Sequence, residues 1–208
     1  MRAIVPYAAV DPKTRLNSVL DDDERAAFAR IMLRSVLTTL REAGHEPTVL
    51  STAPLDEDAL PAATTVVIDD RPLTAAVNDQ LAAAEPPRLI MMADLPLATP
   101  AAVEGLTAAD VDIALAPGLG GGTNALVVRE PSFRVDYHGA SYCDHRAAAA
   151  DLDATVRVVD SRQLATDIDE PSDLAEVLIH GDGRARAWLD DAGFDLDTDD
   201  GRVGVRRR

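Results

Sequence analysis

Apolar, strand-like runs alternate with helically spaced segments along this chain, with no Pro- or Gly-rich linker between them. That alternation restricts the fold more than any other feature. The runs RAIVPY, TVLST, TTVVIDD, RLIMMADLP, DIALAP, NALVVRE and TVRVVD read as strands. A helix is expected from Asp22. Asp21, Asp22, Asp23 and Glu24 crowd its N-terminus, where the helix dipole favours negative charge, and Gly44 can end it. Phe28, Ile31, Met32, Val36 and Leu40 recur within it at helical spacing. Further helices are expected in LTAAVNDQLAAAE, after Thr99, in SYCDHRAAAADL, and in EPSDLAEVLIH with Pro171 in its first turn. The pattern predicts one doubly wound α/β domain over residues 1–208, a mostly parallel sheet flanked by helices. From about residue 195 the chain is expected to form a peripheral hairpin around Asp200–Gly201, its closing arginines a solvated end.

Charge narrows the function. Lys+Arg of 20 against Asp+Glu of 36 gives a net charge of −16, which repels DNA and anionic membranes and argues against both as partners. Lys13 is the only lysine. That bias, with the acidity, reads as a halophilic cytoplasmic protein whose carboxylates hold water when salt screens their repulsion. The one cysteine, Cys143, excludes an internal disulfide and is expected to be small and partly buried. No apolar run approaches the ~20 residues of a membrane span, and residues 2–10 lead into strand-like sequence rather than a signal peptide.

In doubly wound folds, ligands bind outside the carboxyl ends of strands, where the strand order reverses. Four segments should lie there. Pro6 to Arg15 contains Lys13 and Arg15, two cations on a loop feeding a helix, suited to a polyphosphate although no Walker A loop is present. Where arginine serves every other cationic position, a retained ammonium suggests a need for a compact point charge. As an exposed loop cation, Lys13 should contribute little to folding. Asp94 ends an apolar strand that Pro96 cannot continue, and can offer oxygen to Mg²⁺. Asp167 and Asp169 precede a helix; Asp169 could bind the same ion or simply cap that helix, and Asp173 reads as a first-turn carboxylate. GLGGGTN fails the dinucleotide pattern, but its backbone N–H groups, with Thr123 and Asn124, can face an anion. Gly139 and Ser141 precede or open a helix that Ser141 could cap. His138 and His145 make a poor zinc site.

Taken together, VPYAAVDPKTRL, ADLPL, GGGTNAL, GASYCDH and DIDEPSDL, in order from Val5 to Leu174, resemble the motifs of the archaeal 2-phospho-L-lactate guanylyltransferase family of coenzyme F420 biosynthesis. The chain departs from that family's pattern at Ala8–Ala9, where members often carry lysine, and at His138, where many have glycine. The resemblance implies a nucleotide-diphospho-sugar-transferase-like fold, GTP as co-substrate, Mg²⁺, a small phospho-acid acceptor and release of pyrophosphate. It implies that Pro6, Lys13, Arg15 and Asp94 meet the nucleotide and that Lys13 and Arg15 are catalytic. Asp94, Asp169 and Asp167 would hold metal, and Thr123, Asn124, Gly139 and Ser141 the acceptor. The acceptor could be phosphoenolpyruvate instead of phospholactate. The rival readings are another nucleotidyltransferase of this fold, acting on a sugar phosphate or the molybdenum cofactor, and a non-catalytic nucleotide-binding domain. The glycine-rich first loop of the former is missing after RAIVPY. A homodimer is compatible with the sequence, which marks no surface for it.

Overall fold

A computed structural model of the chain describes residues 1–56, 60–83, 85–199, 201 and 203–208. The first half contains β1 (Arg2–Tyr7), α1 (Asp22–Glu42), β2 (Glu46–Ser51), β3 (Thr65–Ile68), α2 (Leu73–Ala82), β4 (Arg88–Met91) and α3 (Pro100–Thr107). The second contains β5 (Ile113–Pro117), β6 (Thr123–Val128), α4 (Ser141–Asp151), β7 (Val156–Val158), α5 (Arg162–Ala165), α6 (Asp173–His180) and α7 (Arg184–Asp191). It ends in β8 (Phe194–Asp197) and β9 (Gly204–Arg207).

Seven strands form one sheet in the order β3-β2-β1-β4-β6-β5-β7, parallel except for β6. Alternation along the strands serves both faces. Ala3, Val5, Leu89, Met91, Ala125 and Val127 pack towards α1 and α3, whereas Ile4, Ile90, Leu126 and Val128 pack with residues of α2 and α4. Such two-sided burial is why these strands read as continuous apolar runs. A third cluster joins Leu16, Phe28 and Met32 to Ile168, Leu174, Val177, Leu189 and Phe194, seating α6, α7 and β8 on the outer side of α1.

Helix α1 begins as expected. Asp21 accepts the Glu24 N–H while Glu24 accepts the Asp21 N–H, a capping box. It ends before Gly44, whose φ of 76° suits glycine. Four details differ from the sequence expectation. Helix α6 starts at Asp173, with Pro171 in the turn ahead of it, because the Asp173 carboxylate closes that turn by accepting the Asp169 and Glu170 N–H groups. The expected end of α2 includes Ala84, which lies outside the described residues; the helix closes at Ala82. Cys143 is exposed, since the buried face of α4 is carried by Ser141, His145 and Ala149 at a spacing of four. Helices α5 and α7 were not anticipated.

The terminal hairpin pairs β8 with β9; Asp200 of its expected turn lies outside the described residues, and Gly201 has a φ of 83°. Its closing arginines are not a free end. Arg207 donates to Glu24 at 2.6 Å and to the Val19 carbonyl, and Arg208 donates to the Asp190 carbonyl.

Candidate active site

Strand order reverses between β1 and β4, because β1 leads to β2 on one side and pairs with β4 on the other. Register pairing of β1 with β4 stops at Ile4↔Ile90, while β1 continues beside β2 to Tyr7↔Ser51. Pro6, with no N–H to give, occupies the stretch beyond the β4 pairing. A cavity of about 280 Å³ sits here, walled by Pro6, Tyr7, Met92 and Asp94 and by Lys13 and Arg15 from the loop after β1.

The Lys13 side chain is only 12 % exposed and reaches two carboxylates at once. Its Nζ lies 2.5 Å from Asp94 Oδ2 and 2.7 Å from Asp169 Oδ1. The expectation of an exposed loop cation is therefore corrected. Burial alone would lower the ammonium pKa, but Asp94 and Asp169 outweigh it and leave it raised. Lys13 has a φ of 55°, a left-handed conformation costing about 1–2 kcal/mol in a non-glycine residue. The Lys13 carbonyl accepts the Leu16 N–H at 2.9 Å, closing a 3₁₀ turn. More exposed, Arg15 donates to Asp169 Oδ2 at 3.3 Å.

Core packing brings these loops together. Leu16 and Ile168, each fully buried, lie in the same apolar cluster and hold the Lys13–Arg15 loop against Asp167–Asp169. The Ile168 N–H donates to the Asp94 carbonyl, tying a third loop in. Asp169 does not cap α6; its side chain faces Lys13 and Arg15 instead. Asp173 fixes the backbone that presents it.

Asp167 accepts from Asn124 Nδ2 at 3.0 Å. Burial, and then the negative charges of Asp94 and Asp169, push its carboxyl above the usual range despite that hydrogen bond. Asp94 Oδ1 is buried without a hydrogen-bond partner. An orphaned carboxylate oxygen beside two further carboxylates suits a hard, oxygen-seeking divalent cation. Among the described residues, no group of three or more His, Cys, Asp or Glu side chains could hold a metal by itself. Such an ion would draw its other ligands from phosphate and water, as Mg²⁺ commonly does at nucleotides.

Asp169 and Arg15 also line a second, larger cavity of about 800 Å³. Gly120, Gly122 and Gly139 border it, as do Asp167 and a cation the sequence reading missed, Arg162, which pairs with Glu176 at 2.6 Å. The glycine-rich segment is the turn between antiparallel β5 and β6, closed by Gly118 N–H to the Gly122 carbonyl. A Cβ on Gly118 would sit 2.6 Å from Asn124 Oδ1, which accounts for glycine there. Because β6 runs backwards, Thr123 and Asn124 at its start lie at the same edge as the ends of β4 and β5.

Thr123, Asn124 and Ser141 are all buried, with their polar groups engaged inside the fold. Ser141 Oγ accepts the Thr123 N–H at 3.0 Å and caps no helix. Asn124 Nδ2 also donates to the Leu164 carbonyl. Fully buried, His145 takes the Asp136 N–H on Nε2 and therefore donates from Nδ1 to Thr123 Oγ1. Desolvation lowers its pKa to about 4, so it stays neutral near pH 7. A third cavity of about 200 Å³, bordered by Leu50, Thr52, Asp69 and Arg71, shares Pro6, Tyr7, Ala8 and Met92 with the first.

No helix among the described residues is long and apolar enough to cross a membrane. Residues 1–208 match the family model described as "Guanylyl transferase CofC like". The chain is 56% identical over 207 residues to the 2-phospho-L-lactate guanylyltransferase of Halomicrobium mukohataei, covering 100% of both. It is 53% identical to that of Haloferax volcanii, again over the full length of both. Relatives extend to Methanocorpusculum labreanum at 44% identity, with 99% of this chain and 95% of that one aligned. In fold it is similar to a protein assigned to the nucleotide-diphospho-sugar transferases from Desulfovibrio desulfuricans G20, with a TM-score of 0.71 at 18% identity, covering 91% and 94% of the two chains. A nucleotidyl transferase from Methanothermobacter superposes with a TM-score of 0.63 at 16% identity, covering 86% and 96%.

Proposed function

The chain belongs to the CofC-like guanylyl transferase family, and on that premise we propose that it transfers GMP from GTP to 2-phospho-L-lactate, releasing pyrophosphate, in coenzyme F420 biosynthesis. The observation that carries the reading is the meeting of two cavities at one carboxylate. Asp169 borders both the cleft at the β1–β4 crevice and the larger hollow beneath the β5–β6 turn. A transferase needs two substrates whose reacting ends meet, and a domain that only held nucleotide would not need the second hollow.

In this reading the triphosphate lies in the first cavity with Lys13 and Arg15 against it, and the base lies in the adjoining one beside Leu50. The phospho-acid lies in the larger hollow, against the backbone of Gly120, Gly122 and Gly139 and the Arg15 guanidinium. Thr123, Asn124 and Ser141 shape that wall from behind. Asp94 and Asp169, with Asp167 beside them, would hold Mg²⁺, which when bound neutralises phosphate charge.

A phosphate monoester, with a second pKa of about 6, is already an anionic nucleophile near neutral pH. Its oxygen forms a bond to the α-phosphorus of GTP while the bond to the β-phosphate oxygen breaks and pyrophosphate departs. No protein base is required, so the chain's task is alignment and charge neutralisation. Residues 1–208 act as one nucleotidyltransferase domain, in a salt-rich cytoplasm to which the net charge of −16 is suited.

The test is pyrophosphate release from each nucleoside triphosphate against 2-phospholactate, phosphoenolpyruvate, a sugar phosphate and unphosphorylated lactate, with Mg²⁺ in molar KCl. The expected result is GTP-dependent release with a phosphorylated three-carbon acid and little with lactate. Equal rates with lactate, or no release with either phospho-acid from folded protein, overturns the proposal.

A further inference from the structure

At the end of β4 remote from Asp94 stands a cation with no counterpart. Arg88 is 9% exposed, yet among the described residues its guanidinium enters no ion pair and donates no hydrogen bond. Its register neighbour on β1 is another cation, Arg2. Burial, and then Arg2, pull the Arg88 pKa below its usual value. Among the described residues, no carboxylate of a chain that has 36 pairs with this group. Glu130, on the same cavity wall, instead accepts the Ser132 N–H.

Arg88 lines a cavity of about 280 Å³ whose walls include Leu81, Val128, Phe133 and Arg134. The Arg134 guanidinium is held at the rim by the Pro131 and Phe133 carbonyls. Arg88 is mostly covered but its unpaired guanidinium still reaches water, and its planar fork is matched by an oxyanion with two coplanar oxygens. Glu85 and Glu130 also line the cavity, while Leu81, Val128 and Phe133 offer an apolar wall to a hydrocarbon body behind that oxyanion.

We propose that this cavity is a second ligand site, which binds a small organic carboxylate. The carboxylate pairs with Arg88, and its short apolar body rests on Leu81, Val128 and Phe133. Arg88 opens β4 and Asp94 lies in the turn beyond its far end, and the two cavities share no lining residue, so the site is separate from the candidate active site.

Titration calorimetry of the full chain with butyrate, and separately with inorganic phosphate at equal ionic strength, tests this. Butyrate is expected to bind saturably with a millimolar dissociation constant, and phosphate at least tenfold more weakly. Arg88→Met should weaken butyrate binding tenfold or more while leaving the thermal midpoint level or higher, because it removes a mostly covered charge that has no partner among the described residues. Arg88→Lys keeps the charge but loses the fork, and should also bind more weakly; pyrophosphate release by both variants should be unchanged. In the wild-type chain, the Arg88 Nε–H resonance should move on titration. Absence of saturable butyrate binding, equal binding by folded Arg88→Met or Arg88→Lys, or tighter binding of phosphate overturns the proposal.

Discussion

Lys13 and Asp94 are 81 residues apart in the chain, yet Nζ of the one lies 2.5 Å from Oδ2 of the other. The same ammonium holds Asp169 at 2.7 Å. One cation thus joins the loops after β1, after β4 and before α6, while Asp94 Oδ1 is left without a partner.

Asp94→Asn and Asp169→Asn should each lower pyrophosphate release by on the order of a hundredfold or more, since each removes a formal charge from the place where phosphate charge must be neutralised. Circular dichroism should be unchanged. Release measured across a Mg²⁺ titration checks this; near-wild-type turnover in both variants would refute the carboxylate site.

Lys13→Ala should reduce turnover by a similar factor and raise the KM for GTP. It should also lower stability by roughly 1–2 kcal/mol, because Asp94 and Asp169 would lose their shared counter-ion. Denaturant midpoints and initial rates separate the two effects. Lys13→Arg should restore much of the stability and little of the rate, as a planar fork does not replace a compact ammonium. Full activity in the alanine variant would make Lys13 a purely structural ion-pair partner.

His145 makes stability depend on pH. Its folded pKa is lowered to about 4, so the unfolded chain binds the extra proton first as pH falls. The contribution is fully present above the unfolded value of about 6.5 and is lost progressively between there and about 4. The loss should approach ~3 kcal/mol. Denaturant titrations of wild type and His145→Gln from pH 7 to 4 check it. The stability difference between them should shrink with acid, and a constant difference would exclude the buried neutral imidazole.

Salt should stabilise the fold. At net charge −16 self-repulsion loosens the compact state, and 1 M salt shortens the screening length to about 3 Å. The thermal midpoint should rise steadily from low to molar KCl. A midpoint that is flat or falls would remove the electrostatic account of the acidic surface.

The order of strands and helices, α5 and α7 excepted, was legible in the sequence because the fold writes it locally. Two-sided burial makes RAIVPY and RLIMM continuous apolar runs, and a capping box and a glycine at positive φ bound α1. Lys13, Asp94 and Asp169 were legible as positions at strand ends, from residue type and from motif order. Their contact was not. It depends on Leu16 and Ile168 packing into one cluster and on the Ile168 N–H reaching the Asp94 carbonyl, neither of which has a local signature. For the same reason Lys13 was expected to be exposed, and Ser141 a helix cap, when the one is enclosed by two distant carboxylates and the other accepts an N–H from β6. Arg162 and Arg88 carry no motif at all. Their significance comes from what packing places, or fails to place, around a guanidinium. Sequence determined which elements form, because backbone propensity and apolar periodicity act over a few residues. Tertiary structure decided which charges meet, because electrostatic partners are chosen by distance in space.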